Sequence, residues 1–217
     1  MIVEEVMKHE VWTLSPKDTI QKAIQLMDEK NIRHIPIADE NGCIAGIISD
    51  RDIKETLPSN LEFPNNYSQI LEYQLEEIMV TDVITAHPLD FVEEVASLFY
   101  ENQISCIPIV SNKKIVGIVT ETDILYTFLQ LTGALQPGSK IEVKVPNRAG
   151  VLSKVATVIS DLNVNIHSVL VNPYHLDETF KILVFRIQTM NPTPIVKALK
   201  EKGFDVLLPY TWEPSNE

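Results

Sequence analysis

The sequence predicts an α+β protein in two parts: a tandem βαββα repeat over about the first 130 residues, then one βαββαβ unit. Three observations predict it. The chain is self-similar at an offset of 72, where EVWTLSPKD (10–18) aligns with DVITAHPLD (82–90) and IRHIPI (32–37) with ISCIPI (104–109). A breaker, QPGS at 136–139, separates this repeat from a different apolar pattern. Charge divides at the same place, with 9 basic and 22 acidic residues in 1–138 against 9 and 8 in 139–217.

Each repeat carries its local signals in one order. A short strand leads to a Pro turn and then to Asp18 or Asp90, placed to cap a helix, with Gln21 and Glu93 three residues on as a capping-box variant. Ile20, Ala23, Ile24 and Met27, and in the second unit Val92, Val95, Ala96 and Phe99, follow at helical spacing. Two apolar strands come next, 35–38 and 44–48, then 107–110 and 115–119, across the turns DENG and SNKK. The offset drops to 71 there, because a turn loses one residue. A second helix starts after Asp52 and after Asp123. Units of about 60 residues bury too little surface alone, so the two are expected to pack together.

The repeated tokens GIISDRD (46–52) and GIVTETD (117–123), behind matching IPI strands, resemble a tandem pair of CBS motifs, a family that binds AMP, ADP, ATP or related adenosine compounds. The boundaries read as 1–55 for the first motif, 56–77 for an inserted linker ending in a helix, and 78–133 for the second motif. A hydroxyl at a strand end with Asp three positions on can hold phosphate with the hydroxyl and helix amides and accept ribose hydroxyls with the carboxylate. The resemblance assigns these roles to Ser49 with Asp52 and to Thr120 with Asp123. It also pairs Thr85 with Asp52 and Thr13 with Asp123 across a pseudo-twofold, and seats adenine near Ile35 or Ile107. Arg33, His34 and Arg51 flank the first site, where the second has Ser105, Cys106 and Thr122. The first is therefore expected to bind anions better, so that Asp52→Ala weakens binding more than Asp123→Ala. An Asp after a strand is also an ordinary helix cap, and some pairs of the family serve only as dimerisation scaffolds. Trp12, beside the cleft, reads as core, with stacking on adenine as the alternative; Trp212 and the tail after Tyr210 read as peripheral.

The C-terminal pattern gives strand 140–145, the turn PNRAG, an amphipathic helix from Val151 to Leu162, strands 165–171 and 180–187, a helix near 194–202 and a last strand. With PNRAGVL at its first turn, region 139–210 resembles an ACT domain, a ferredoxin-like module that binds amino acids or other small effectors and usually pairs with a second copy. The resemblance places an effector at Asn147, Arg148 and Gly150, with Leu152 packed beside them; an amino acid or small organic acid would suit them. The plain alternative is that Asn147 caps the helix and the domain only dimerises.

The acidic body disfavours nucleic acid and anionic membranes as partners. No run of about 18 uninterrupted apolar residues is present, and the acidic N-terminal stretch lacks a signal core, so a cytoplasmic protein is expected. Cys43, Cys106 and the scattered His9, His34, His87, His167 and His175 show no metal-ligand spacing, and no catalytic motif is found, so the reading is a regulator and not an enzyme. A CBS pair followed by one ACT domain resembles the acetoin utilization protein B family. That resemblance implies a homodimer, control of acetoin or acetyl-CoA metabolism, and an enzyme of acetyl-CoA metabolism as partner. The competing reading is a dimerising, docking scaffold with degenerate ligand sites.

Overall fold

A computed structural model describes residues 1–57 and 67–208, so residues 58–66 of the expected insertion, the end of the expected C-terminal unit and Trp212 lie outside the described residues. The chain divides into two units between Leu125 and Tyr126.

In the first unit α1 (Ile20–Lys30) is capped by Thr19, whose Oγ1 accepts from the Lys22 amide at 3.3 Å, and not by Asp18. The Asp18 carboxylate turns back to accept from the Ser15 amide at 2.7 Å and from Lys22 Nζ at 2.7 Å. Asp90 does the same with the His87 amide at 2.7 Å. The proline turn spends one more residue than the pattern suggests, so Asp closes the turn while the helix begins after it. In α4 (Val92–Asn102) the reciprocal carboxylate is accordingly Glu94, not Glu93, accepting from the Phe91 amide at 3.3 Å.

Strands β1 (His34–Ala38) and β2 (Ile44–Ser49) form one antiparallel hairpin, and β3 (Cys106–Ser111) and β4 (Lys114–Thr120) another. The leading strand of each repeat shrinks to one parallel bridge, Leu14 with Ile37 and Ala86 with Ile109. Pro16 and Pro88 lie two residues further on and carry no N–H to extend the ladder. Helices α2 (Asp50–Thr56) and α5 (Glu121–Leu131) begin two residues before the Asp expected to start them. A short helix, α3 (Tyr67–Leu71), precedes the second repeat.

The packing between repeats is an exchange. The self-similarity extends back beyond residue 10, since VEEVM (3–7) aligns with LEEIM (75–79) at the same offset of 72. Both segments form a 3₁₀ turn, Val3–Glu5 and Leu75–Glu77, and each docks on the other repeat. Val3 and Met7 belong to the core of Val95, Phe99, Ile107, Ile109 and Val119, whereas Leu75 belongs to that of Ile20, Ile35, Ile37 and Ile48. Backbone bridges finish the exchange, Lys8 with Ile118 and Val80 with Ile47. Gly117 and Gly46 make room for it: a Cβ on Gly46 would overlap Met79 and crowd the Val80 carbonyl, and one on Gly117 would overlap Met7. Leu75, which read as part of the linker, is thus a core residue.

The second unit is an antiparallel sheet in the order β6-β7-β5-β8, from β5 (Ser139–Pro146), β6 (Ile166–Pro173), β7 (Phe180–Ile187) and β8 (Asp205–Leu208). Alternate residues Ile141, Val143, Val145, Leu183, Phe185 and Ile187 face α6 (Val151–Asp161) and α7 (Thr193–Glu201), which return Val155, Ile159, Ile195 and Leu199 to one core. This is the ferredoxin-like arrangement expected.

Leu75→Ala tests the exchange. A fully buried leucine truncated to alanine costs about 2–5 kcal/mol, whereas a linker residue would change stability by at most ~0.5 kcal/mol. Urea denaturation of the full chain is expected to give the larger loss.

Candidate functional site

Because each repeat lends its leading segment to the other, two clefts form where the repeats meet. The first, of about 530 Å³, takes Ser49, Arg51 and Asp52 from the start of α2, Arg33 and His34 from the entry to β1, and Val80, Val83 and Ile84 from the crossing segment of the second repeat. The other, of about 390 Å³, takes Thr120, Glu121 and Thr122 from the start of α5, and Lys8, Val11 and Trp12 from the crossing segment of the first repeat.

Both hydroxyl–carboxylate pairs are reciprocal caps. Asp52 Oδ2 accepts from the Ser49 amide and from Ser49 Oγ, each at 2.7 Å, while Ser49 Oγ accepts from the Asp52 amide at 3.3 Å. Asp123 Oδ2 accepts from the Thr120 amide at 2.9 Å and from Thr120 Oγ1 at 2.6 Å, and the Asp123 amide donates back to Oγ1 at 3.3 Å. These bonds hold each carboxylate in one rotamer and end on one of its oxygens.

The expected asymmetry is redrawn. Arg33, His34, Ser105 and Glu121 line both clefts, because they sit where the repeats touch. His34 Nε2 and Ser105 Oγ are hydrogen-bonded at 2.9 Å across that junction. Each cleft then has one cation of its own, Arg51 in the first and Lys8 in the second. Lys8 was missed by the sequence reading, although extending the 72-residue offset back to the chain start aligns it with Val80 and brings it to the site.

Three expectations about the walls need correction. Ile35 and Ile107 are fully buried in the two cores and line neither cleft; Ile47, Val80 and Ile104 provide the apolar wall of the first. Thr85 and Thr13 stand one residue beyond the lining residues Ile84 and Trp12, so the crossing segments arrive as expected but present those neighbours instead. Trp12 is not core: it is 38% exposed on the second cleft, with Lys30 Nζ 4.2 Å above its ring. Cys106 lines the first cleft, where burial pushes its thiol up to about 12, with Asp123 adding to the shift, so it is a neutral wall group.

In the second unit, a separate cleft of about 370 Å³ gathers Asn147, Arg148, Gly150 and Leu152 with Val171 and Lys181. Gly150 has φ +80°, a left-handed backbone that favours glycine, and it precedes the first turn of α6 without a side-chain cap. Asn147 does not cap the helix; its amide donates to the Thr179 carbonyl at 2.7 Å and its Nδ2 to the Glu178 carbonyl at 3.4 Å, tying the turn to the approach of β7. Lys181, two residues beyond that contact, is a second cation the sequence reading did not assign.

Comparison with known proteins bears directly on these clefts. The CBS domain profile matches residues 3–59 and 75–129, more than half of the chain, and the ACT domain profile matches 139–204. The chain belongs to the CBS domain family and carries an ACT domain. Both modules are regulatory. Bacillus subtilis CBS domain-containing protein YhcV is 32% identical over 122 residues, 56% of this chain and 81% of its own length. L-aspartate semialdehyde sulfurtransferase of Methanocaldococcus jannaschii is 34% identical over 128 residues, 58% of this chain but 23% of that protein, so this CBS-ACT chain spans only about a quarter of that relative. Among solved structures, the CBS domain pair of protein MJ0100 in complex with 5′-methylthioadenosine and S-adenosyl-L-methionine is 32% identical, with TM-score 0.51, covering 59% of this chain and 95% of that one. A Vibrio cholerae protein provisionally assigned as an acetoin utilization protein (AcuB) is 32% identical, with TM-score 0.53, over 63% of this chain and 98% of that one. No helix among the described residues is long and apolar enough to cross a membrane.

Burial holds the His34 imidazole below its ordinary value, and Arg33 pushes the same way against Asp50, Asp52 and Glu121. The unfolded chain therefore takes up this proton before the folded one. The His34 contribution to stability is full at neutral pH and is lost on acidification. From about pH 7 to about pH 5, the denaturation midpoint of His34→Gln is expected to fall less steeply than that of the wild type. Equal slopes would contradict this.

Proposed function

We propose that this protein is a regulatory sensor, not an enzyme, that binds an adenine nucleotide of the AMP, ADP or ATP type in its CBS pair and a small carboxylate metabolite in its ACT domain. One observation carries the reading: each cleft is lined opposite a crossing segment of the other repeat by a rotamer-locked cap, Ser49 with Asp52 in the first and Thr120, which holds Asp123 behind it, in the second, in a chain 32% identical over 59% of its length to a CBS pair solved with adenosine compounds. Ribose hydroxyls donate to the Asp52 or Asp123 carboxylate, and Arg33, with Arg51 or Lys8, offers charge to phosphate. Adenine packs on Ile47, Val80 and Ile104 in the first cleft and against Trp12 in the second. Amino acids or small organic acids suit the ACT cleft, where Arg148, Lys181 and the open amides of α6 meet a carboxylate.

Regulation follows from the shared wall. A ligand that moves Arg33, His34 or Ser105 in one cleft changes the other, and the coupling is reciprocal by thermodynamic necessity. The likeness to the AcuB-assigned protein supports acetoin or acetyl-CoA metabolism as the process controlled, with an enzyme of that metabolism as the partner. Homodimerisation belongs to the proposal, since α5 exposes Leu125, Tyr126, Phe128 and Leu131.

A second reading keeps the clefts as structure only, because a reciprocal cap is what helix termination alone requires. A thermal-shift titration with AMP, ADP, ATP and S-adenosylmethionine separates the two. The sensor gives a saturable rise in Tm, reduced by Asp52→Ala or Asp123→Ala and abolished by both together. No shift with any of the four, on protein freed of carried-over nucleotide, leaves the dimerising scaffold.

A further inference from the structure

The two clefts differ at one pair of equivalent positions in a way that neither capping nor packing requires. Lys8 and Val80 stand 72 residues apart and occupy the same place, each bridging to the second hairpin strand of the other repeat. Val80 adds only apolar surface to the first cleft. Lys8 places its Nζ 3.0 Å from Asp123 Oδ1, whose carboxylate is 16% exposed while the lysine is 61% exposed. Asp123 Oδ2 is already taken by Thr120, so both oxygens of this carboxylate have partners before any ligand arrives. In the first cleft the cap likewise uses Oδ2 of Asp52, but among the described residues Asp52 forms no corresponding ion pair.

We infer that Lys8 makes the second cleft selective for an adenosine ligand that carries phosphate, while the first cleft accepts charged and neutral adenosine compounds more evenly. The inference rests on the reading of the clefts as adenosine sites. A ribose that donates to Asp123 Oδ1 displaces the ammonium or shares the oxygen with it. A neutral nucleoside gives that ammonium nothing in exchange, and the lost ion pair subtracts from binding. A phosphate returns an oxyanion to the same ammonium, with a charge-assisted hydrogen bond of equal or greater strength. Arg51 of the first cleft rewards phosphate as well, but with Val80 in place of lysine no ion pair is broken there to admit a neutral ribose.

Isothermal titration of the full-length protein with AMP and with adenosine tests this, using Asp52→Ala to silence the first cleft. AMP is expected to bind this variant at least about tenfold more tightly than adenosine, the scale of one charged hydrogen bond. Adding Lys8→Val, which copies the residue of the first cleft, is expected to collapse the ratio from both sides, weakening AMP and strengthening adenosine. The reciprocal variant, Val80→Lys in an Asp123→Ala background, is expected to raise the ratio at the first cleft. Unchanged ratios in both swaps, with binding retained, overturn the role of Lys8 and leave the adenosine reading standing. Loss of all binding in Asp52→Ala, while the wild type binds, confines the ligand to the first cleft and also overturns it. No binding of either compound to the wild type removes the adenosine reading and this inference together.

Discussion

The exchange of leading segments between repeats is the constraint on which the first unit depends. A hairpin with one or two helices cannot bury both its faces, and here each hairpin completes its core with the first turn of the other repeat, Val3 and Met7 on one side and Leu75 on the other. Two glycines facing two methionines set how closely those segments approach. The clefts are a by-product of the same geometry. Each has one wall from the repeat that owns the Ser/Thr–Asp pair and one from the segment lent by its partner.

This geometry explains why several lining groups are shared between the clefts. Arg33, His34 and Ser105 stand at the entries to β1 and β3, the points at which the repeats meet, so each faces both clefts. A hydrogen bond between His34 and Ser105 spans the junction, and partial burial of the imidazole favours its neutral form. In the proposed sensor, occupancy of one cleft reaches the wall of the other through these shared side chains. Energetic coupling between sites needs such a contiguous element with more than one arrangement.

The Ser49–Asp52 and Thr120–Asp123 pairs serve folding as caps and are the groups to which binding is proposed. As caps they satisfy helix amides and hold a carboxylate in place. A carboxylate already held in one rotamer loses less conformational entropy when a ligand binds it. The structural role and the proposed binding role are thus compatible. The ACT cleft uses a different device: a left-handed glycine at the start of α6 keeps the turn open, and Asn147 braces it against the approach of β7.

Local periodicity and turn chemistry were enough to read the helices and hairpins, the repeat, the βαββαβ unit, and the residues of both turns that line clefts, because these depend on neighbours in the chain. Two caps were misplaced by one residue, since a proline turn and a helix start compete for the same Asp and only backbone geometry settles which wins. Ile35 and Ile107 could not be told from wall residues, because an alternating apolar strand does not say which of its faces meets a ligand. Lys8, Trp12 and Lys181 enter their clefts through long-range packing, although the Val3–Met7 and Leu75–Met79 match held an overlooked clue to the first two. Sequence alone establishes which groups exist and how they are spaced along the chain. Their pairing across the repeats, and with it the shared wall and the difference between the clefts, arises from burial of apolar surface between segments distant in the chain, which no local pattern encodes.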